Sequence, residues 1–214
     1  LELTSASRWI ESTCGSESVA AMITDIPGWT WALVPALATL DVDVSIDSWR
    51  PEVVQRALDA GATVINAADG MQTDAMWQVA EAYDVPIVLP FLSGPNPREM
   101  AHVRADPVGV MVDFFEDRLA VADRYGLRAR CIVDPGTGFA PSNWPWEERF
   151  VYQKQVYSHL DELRRWGLPL YIALPWKETA QHDELLEIVV RQQPEFGRVH
   201  YPAKVRALER RLLG

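Results

Sequence analysis

From about residue 40 onward, short apolar runs alternate with longer amphipathic segments, and several of the apolar runs end on a polar or charged side chain. Runs of four to seven residues that are apolar throughout suit strands covered on both faces, as in a parallel sheet, and not half-exposed antiparallel ribbons. Val42, Val44 and Ile46 lead to Asp47, and Thr63, Val64 and Ile65 lead to Asn66. Pro86 to Leu89 forms a third run, Cys131 to Val133 leads to Asp134, and Leu168 to Leu174 ends near Lys177. A brief run surrounds Val199, between Arg198 and His200. That makes six strands, with one more expected within Leu1 to Thr13.

The segments between them carry helical signals. Ser48 is placed to cap a helix with Pro51 in its first turn, Val53, Val54, Ala57 and Leu58 on one face, and Gly61 at its end. Thr73 is placed to cap the next, which shows Met76, Val79, Ala80 and Tyr83. A long helix is predicted from Pro107 to Tyr125, stopped by Gly126. Another opens at Pro145 with Glu147 and Glu148 and reaches Trp166, and two more cover Asp183–Gln193 and Pro202–Leu212. Strand–helix alternation of this kind builds right-handed βαβ units. Neither a Gly-x-Gly-x-x-Gly turn nor a Walker A sequence follows any strand, so the expected architecture is a (β/α)₈ barrel formed as a single domain over residues 1–214.

Composition narrows the function. Thirty acidic against 20 basic residues give a formal charge of −10, which disfavours nucleic acid as a partner. No apolar run nears the roughly 18 residues of a membrane span. Cys14 and Cys131 stand apart with no C-x-x-C spacing, so neither a disulfide framework nor a metal site is expected, and the compartment is read as reducing and cytoplasmic. Nine tryptophans exceed ordinary usage and point to a thick core or a pocket for a flat ligand.

In a parallel barrel the strand C-termini share one mouth, where ligands bind. Asp47, Asn66, Asp134, Lys177, Arg198 and His200 would converge there from separate segments. Each also has a plainer role: Asp47 as a helix cap, Asn66 as a turn residue, Asp134-Pro135-Gly136 as turn chemistry, Lys177 as a solvated loop lysine, Arg198 and His200 as a surface pair. Glu116, Asp117, Asp161 and Glu162 lie on helix faces and read as solvated.

These residues stand in segments that resemble the pterin-binding barrel family, dihydropteroate synthases in particular. Val44-Ser45-Ile46-Asp47-Ser48 is similar to that family's S-[VI]-D-T strand end, and Pro51 to Asn66 to its helix and V-I-N strand. Ile132 to Phe139 (IVDPGTGF) resembles L-D-P-G-x-G-F, Arg198-Val199-His200 matches R-V-H, and Tyr171 to Lys177 is a looser counterpart of the strand ending Ser-Arg-Lys. Glu11-Ser12-Thr13 resembles the start of E-S-T-R-P-G. The resemblance implies a transferase that joins a dihydropterin pyrophosphate to an amine such as p-aminobenzoate. Asp47, Asn66, Asp134 and Lys177 would contact the pterin, with Asp134 and Lys177 catalytic, and Arg198 and His200 would hold the leaving pyrophosphate. Mg²⁺ would enter with pyrophosphate, its ligand residues not being identifiable, and a homodimer is expected.

The departures are equally specific. The family's first-strand N-x-T-P-D-S-F loop has no counterpart, so the first strand is expected to be lacking or replaced. Cys14 stands where Arg follows E-S-T. Pro175 and Trp176 replace the Ser and Arg that help form the p-aminobenzoate pocket, and the segment from Lys177 to Arg198 is short for two helices. Three other readings stay open: methyl transfer from methyltetrahydrofolate in the same barrel family, a Schiff-base aldolase using Lys177, and an inactive pterin-binding or regulatory homologue.

Overall fold

A computed structural model of the chain describes residues 7–11, 20–24, 30–40, 42–94, 101, 103, 105–139 and 144–214. In chain order the elements are β1 (Ser7–Glu11), β2 (Ala20–Thr24), α1 (Thr30–Leu37), β3 (Asp43–Ser48), α2 (Pro51–Asp59), β4 (Val64–Ala67), α3 (Asp74–Glu81) and β5 (Ile87–Pro90). They continue with α4 (Pro107–Arg124), β6 (Cys131–Asp134), α5 (Trp146–Tyr157), β7 (Tyr171–Ala173), α6 (Ala180–Gln192), β8 (Phe196–Val199) and α7 (Pro202–Leu213).

The strands form one eight-stranded sheet in the order β6-β5-β4-β3-β2-β1-β8-β7. Neighbours from β2 to β6 are parallel, as are β7 and β8. The two outer strands, β6 and β7, are themselves joined by a parallel bridge between Val133 and Leu170, where Val133 N–H donates to the Pro169 carbonyl at 2.9 Å. The sheet thereby curls until its edges meet. Between β2 and β8 lies β1, antiparallel to both, with Arg8 opposite Val199 and Glu11 opposite Phe196. The expected N-terminal strand is present, but it runs against the rest, and β2 is a strand that periodicity did not reveal.

Alternation along each strand divides the apolar residues into two cores. Val44, Ile46, Ile65, Ile87, Leu89, Val133, Ile172 and Val199 face outward and pack with Val53, Val54, Met76, Trp77, Met111, Phe115 and Leu119 of the helices. Inside the ring, Val88, Ile132 and Tyr171 form a smaller cluster with Val64 and Phe196. Helical spacing of the apolar residues therefore covers the sheet from outside, while the strands fill the barrel from within. Cys131 is buried in the outer core, and burial pushes its thiol up to about 12, so it behaves as an inert hydrophobe.

Several boundaries differ from the sequence reading. Ser48 does not cap α2; it ends β3, its hydroxyl accepts the Arg50 N–H at 3.1 Å, and Arg50 takes the cap position. The strand pairing of Ser48 with Ala67 keeps it in the sheet. The helix opened by Pro145 stops at Tyr157 instead of reaching Trp166. His159 leaves the helical region (φ −129°, ψ 33°), and a 3₁₀ turn over Leu160–Arg164 then buries Leu160 and Leu163. Helix α6 starts at Ala180, where the Thr179 side chain accepts the His182 N–H, three residues before the expected Asp183.

Two glycines separate backbone conformation from close contact. Gly126 ends α4 with φ +69° and has open space where a side chain would sit. Gly136 also has positive φ (+66°), but a Cβ there would collide with the Phe91 carbonyl oxygen. That carbonyl is held in place because Phe91 N–H donates to the Asp134 carbonyl at 2.7 Å. Gly126→Ala is expected to cost about 1–2 kcal/mol from the left-handed conformation alone. Gly136→Ala should cost a further ~1–3 kcal/mol for the forced shift, read from urea midpoints of the two variants; equal midpoints would contradict this packing.

Candidate active site

The same alternation that sends Val64, Ile132, Tyr171 and Phe196 into the barrel sends Asn66, Asp134, Ala173 and Arg198 inward two residues later. Asp47 shares this inward parity on β3 and pairs in register with Asn66, while Asp134 pairs with Pro90 and Arg198 with Ala173. Four of the six residues named from sequence therefore line one polar cup at the strand C-termini, above an apolar floor. Asn66 and Asp134 are each only 4% exposed.

Asp134 is the electrostatic centre. Its Oδ1 accepts the Gly136 N–H at 2.8 Å. Burial pushes its carboxyl up to about 7, opposed by the Gly136 hydrogen bond and the Arg198 guanidinium and reinforced by the negative charge of Asp47. Arg198 and Asp47 thus act on it from opposite signs. Buried Tyr171, directly below, has its hydroxyl pushed up by burial within the field of the same three charges. Arg198 Nε is buried with no hydrogen-bond partner among the described residues, which leaves a donor for a bound anion.

The loop after β6 is clamped from behind. Tyr157 OH donates to Thr137 Oγ1 at 3.0 Å and Gln153 Nε2 donates to the Thr137 carbonyl at 3.0 Å, both reaching from α5. Gly138 follows, and a Cβ there would stand 2.9 Å from the Ala173 Cβ and 3.1 Å from Arg198 Nη2. The guanidinium fits beside the loop because that position carries no side chain. A second buried carboxylate, Asp69, shapes the loop after β4. Its Oδ1 accepts the Met71 N–H at 3.0 Å, and burial raises its pKa. Tyr157, Gln153, Thr137, Tyr171 and Asp69 were not singled out from sequence. The D-G pair at Asp69-Gly70 is the one local signal among them, since the others matter through contacts made across elements.

Lys177 and His200 are not in the cup. Both are exposed on its rim, one beyond β7 and the other beyond β8. The His200 ring stacks on Trp176 with centroids 4.9 Å apart and planes at 26°, and Lys177 Nζ lies 5.9 Å from the Trp176 ring centre. Burial and then the Arg198 charge lower the pKa of His200. Of the Glu11-Ser12-Thr13 segment, Ser12 and Thr13 lie outside the described residues. Glu11 pairs with the first residue of β8, at the end of the barrel away from the cup.

Comparison with known proteins decides the family. Residues 18–190 match the family described as pterin binding enzyme. The chain belongs to that family. Among its relatives, a dihydropteroate synthase of Synechocystis is 36% identical over 137 residues, covering 62% of this chain and 45% of the relative. A probable bifunctional folylpolyglutamate synthase/dihydropteroate synthase of Halobacterium salinarum is 29% identical over 83% of this chain and 20% of the relative. The chain thus spans less than half the length of these two curated family members. In structure it resembles dihydropteroate synthase from Yersinia pestis (TM-score 0.74, 20% identity, 91% of this chain and 78% of the other). It also resembles the Thermus thermophilus enzyme solved with 4-aminobenzoate (TM-score 0.72, 23% identity, 90% and 81%). These likenesses establish the family's barrel fold for this chain.

Among the described residues no group of three or more His, Cys, Asp and Glu is arranged to hold a metal ion. Nor is any described helix long and apolar enough to cross a membrane.

Because Asp134 binds its proton more tightly in the fold than in the unfolded chain, its contribution to stability is full below about pH 4. It is lost as pH rises through about 7. Asp134→Asn removes that titration. Its unfolding free energy relative to the native chain is expected to improve by on the order of a few kcal/mol between pH 4 and 8. Denaturant unfolding across that range checks this, and a pH-independent difference would show that the carboxyl titrates normally.

Proposed function

We propose that the cup binds a dihydropterin and that the chain catalyses, or forms the core of a protein that catalyses, a dihydropteroate-synthase-type transfer. The observation that carries this reading is the convergence of Asp47, Asn66, Asp134 and Arg198 on the inner side of the strand C-termini, above the floor formed by Tyr171, Ile132 and Val88. A pterin is flat and presents adjacent N–H and NH₂ donors on one edge. The Asp134 carboxylate accepts both, with its second oxygen kept oriented by the Gly136 N–H. Asn66 has a donor and an acceptor for the ring's mixed edge, and Asp47 accepts at the far side.

Arg198, with its unengaged buried Nε, faces the anionic end of such a substrate, and Lys177 on the rim extends the positive side. In the reaction the amine nitrogen of the second substrate forms a bond to the pterin's methylene carbon. The bond from that carbon to the pyrophosphate oxygen breaks, pyrophosphate leaves with the electron pair, and the amine releases one proton to solvent. The protein's share is to position the carbon and to stabilise the charge growing on the leaving group through Arg198 and Lys177. A Mg²⁺ ion arriving with pyrophosphate would neutralise the same charge. This reading carries with it a cytoplasmic location and a small-molecule partner set of pterin and p-aminobenzoate.

Calorimetric titration with 6-hydroxymethyl-7,8-dihydropterin tests the assignment. Binding is expected to strengthen as pH rises through about 7, where Asp134 ionises. Asp134→Asn, which turns one acceptor into a donor facing the ligand's NH₂, is expected to weaken binding at least about tenfold and flatten the pH profile. No binding to the native chain would defeat the reading. Release of pyrophosphate from the dihydropterin pyrophosphate in the presence of p-aminobenzoate then separates an enzyme from a silent binder.

A further inference from the structure

Between the end of β7 at Ala173 and the start of α6 at Ala180, the chain crosses the rim of the cup and carries Lys177. Thr179 closes this segment. Its N–H donates to the Lys177 carbonyl at 3.1 Å, and its side chain accepts the His182 N–H as the cap of α6. A capping threonine needs no more than that backbone partner. Here Thr179 Oγ1 is also hydrogen-bonded to the His182 ring, 2.8 Å from Nδ1, which holds the hydroxyl in one rotamer.

His182 is in turn held from α5. It is only 9% exposed, and its ring lies flat on the Trp146 indole, with centroids 4.3 Å apart and planes at 4°. Trp146 Nε1 donates to Gln181 Oε1, and Lys154 Nζ pairs with Glu184 at 2.6 Å, so α5 grips the first turns of α6. Burial lowers the pKa of His182, and the charges of Lys177, Arg149 and Lys204 lower it further against that of Asp183. The ring is therefore neutral at pH 7 and adds no charge of its own to the rim. The same helix holds the loop after β6, through Gln153 and Tyr157 on Thr137. One helix thus braces two loops of the mouth.

We propose that His182 is a positioning residue for Lys177: its ring, seated on Trp146, fixes the Thr179 end of the rim segment and so holds the ammonium group toward an anion in the mouth. The inference rests on the reading of Lys177 as a cation for the pyrophosphate end of the substrate, and goes beyond it to the residue that keeps that cation in place. A lysine already loses rotamer freedom when it binds an anion, and a loosely held backbone beneath it would add to that loss. His182 acts only through Thr179. Its place in the sequence gave no sign of this, since the helix was expected to begin one residue later, at Asp183.

The test is calorimetry of inorganic pyrophosphate on the full chain, run as a cycle of variants. Lys177→Met is expected to weaken pyrophosphate binding about fivefold, and His182→Phe, which keeps a ring on Trp146 and loses Nδ1, about threefold. The double variant should stay at about fivefold, because an absent lysine no longer needs holding. His182→Asn, whose side chain can still bond Thr179, should recover most of the loss, and 6-hydroxymethyl-7,8-dihydropterin should bind both His182 variants within about twofold of the native chain. If His182→Phe does not fold, Trp146→Leu takes its place in the cycle with the same expected loss and the same lack of additivity. Native affinity in His182→Phe, or losses that multiply to about fifteenfold in the double variant, would overturn the inference and leave the cup as it stands. So would a Lys177→Met variant that binds pyrophosphate as the native chain does, or a native chain that does not bind it. Failure of the dihydropterin to bind defeats the pterin reading instead, and the pyrophosphate cycle still decides the role of His182.

Discussion

Among the described side chains, buried charge inside the barrel appears at one level only. A strand that faces helices on one side and a closed interior on the other has no solvent face, so inward positions below the mouth favour apolar side chains. Val88, Ile132, Tyr171, Val64 and Phe196 meet that demand at the floor. Two residues higher, where the interior opens, Asp47, Asn66, Asp134 and Arg198 appear together. The active-site candidates are therefore a consequence of how the sheet is closed and where it ends. The seam at Val133 and Leu170 matters out of proportion to its single bridge, because it brings the strand that carries Asp134 against β7, the strand paired with the one that carries Arg198.

Within the cup, opposing influences on Asp134 place its titration near neutrality. Full burial favours the protonated acid, while the Gly136 hydrogen bond and Arg198 favour the carboxylate, and Asp47 tilts the balance back. Moving any one of these would shift the group away from the pH at which it can change state. The loop geometry is set from outside the cup: Tyr157 and Gln153 on α5 hold Thr137, and Gly138 makes room for the guanidinium. The net charge of −10 also takes on a local meaning, since the positive groups of the mouth are concentrated on one side of it while the acidic surplus is spread largely over exposed helix faces.

Much of this was legible before any coordinates. The six strands from Val42 to Val199 and the long helix ended by Gly126 follow from periodicity and terminal residues, because local forces act there in the same direction as the fold. Less was visible where local signals were weak or misleading. The hydroxyl of Ser48 looked like a helix cap, yet strand pairing with Ala67 claimed it. The reversed direction of β1 is invisible in composition, since a five-residue strand such as Ser-Arg-Trp-Ile-Glu pairs either way and its neighbours decide. Tyr157 and Gln153 read as helix residues with no hint of the loop they hold, because their partner lies 20 and 16 residues away in sequence.

By itself the sequence determined which side chains end the strands, and so which polar groups a parallel sheet must deliver to a common mouth: period-two alternation leaves them no other side to take. The tertiary structure decided how that set divides. Asp47, Asn66, Asp134 and Arg198 go into the cup because they lie within or at the last residue of a strand, whereas Lys177 and His200 lie past the strand ends, where the chain has already turned outward. It also decided that Trp176 and His200 meet. Residues 24 apart in sequence come into contact because β7 and β8 are neighbours in the ring, and no local pattern encodes which strands a closed sheet makes adjacent.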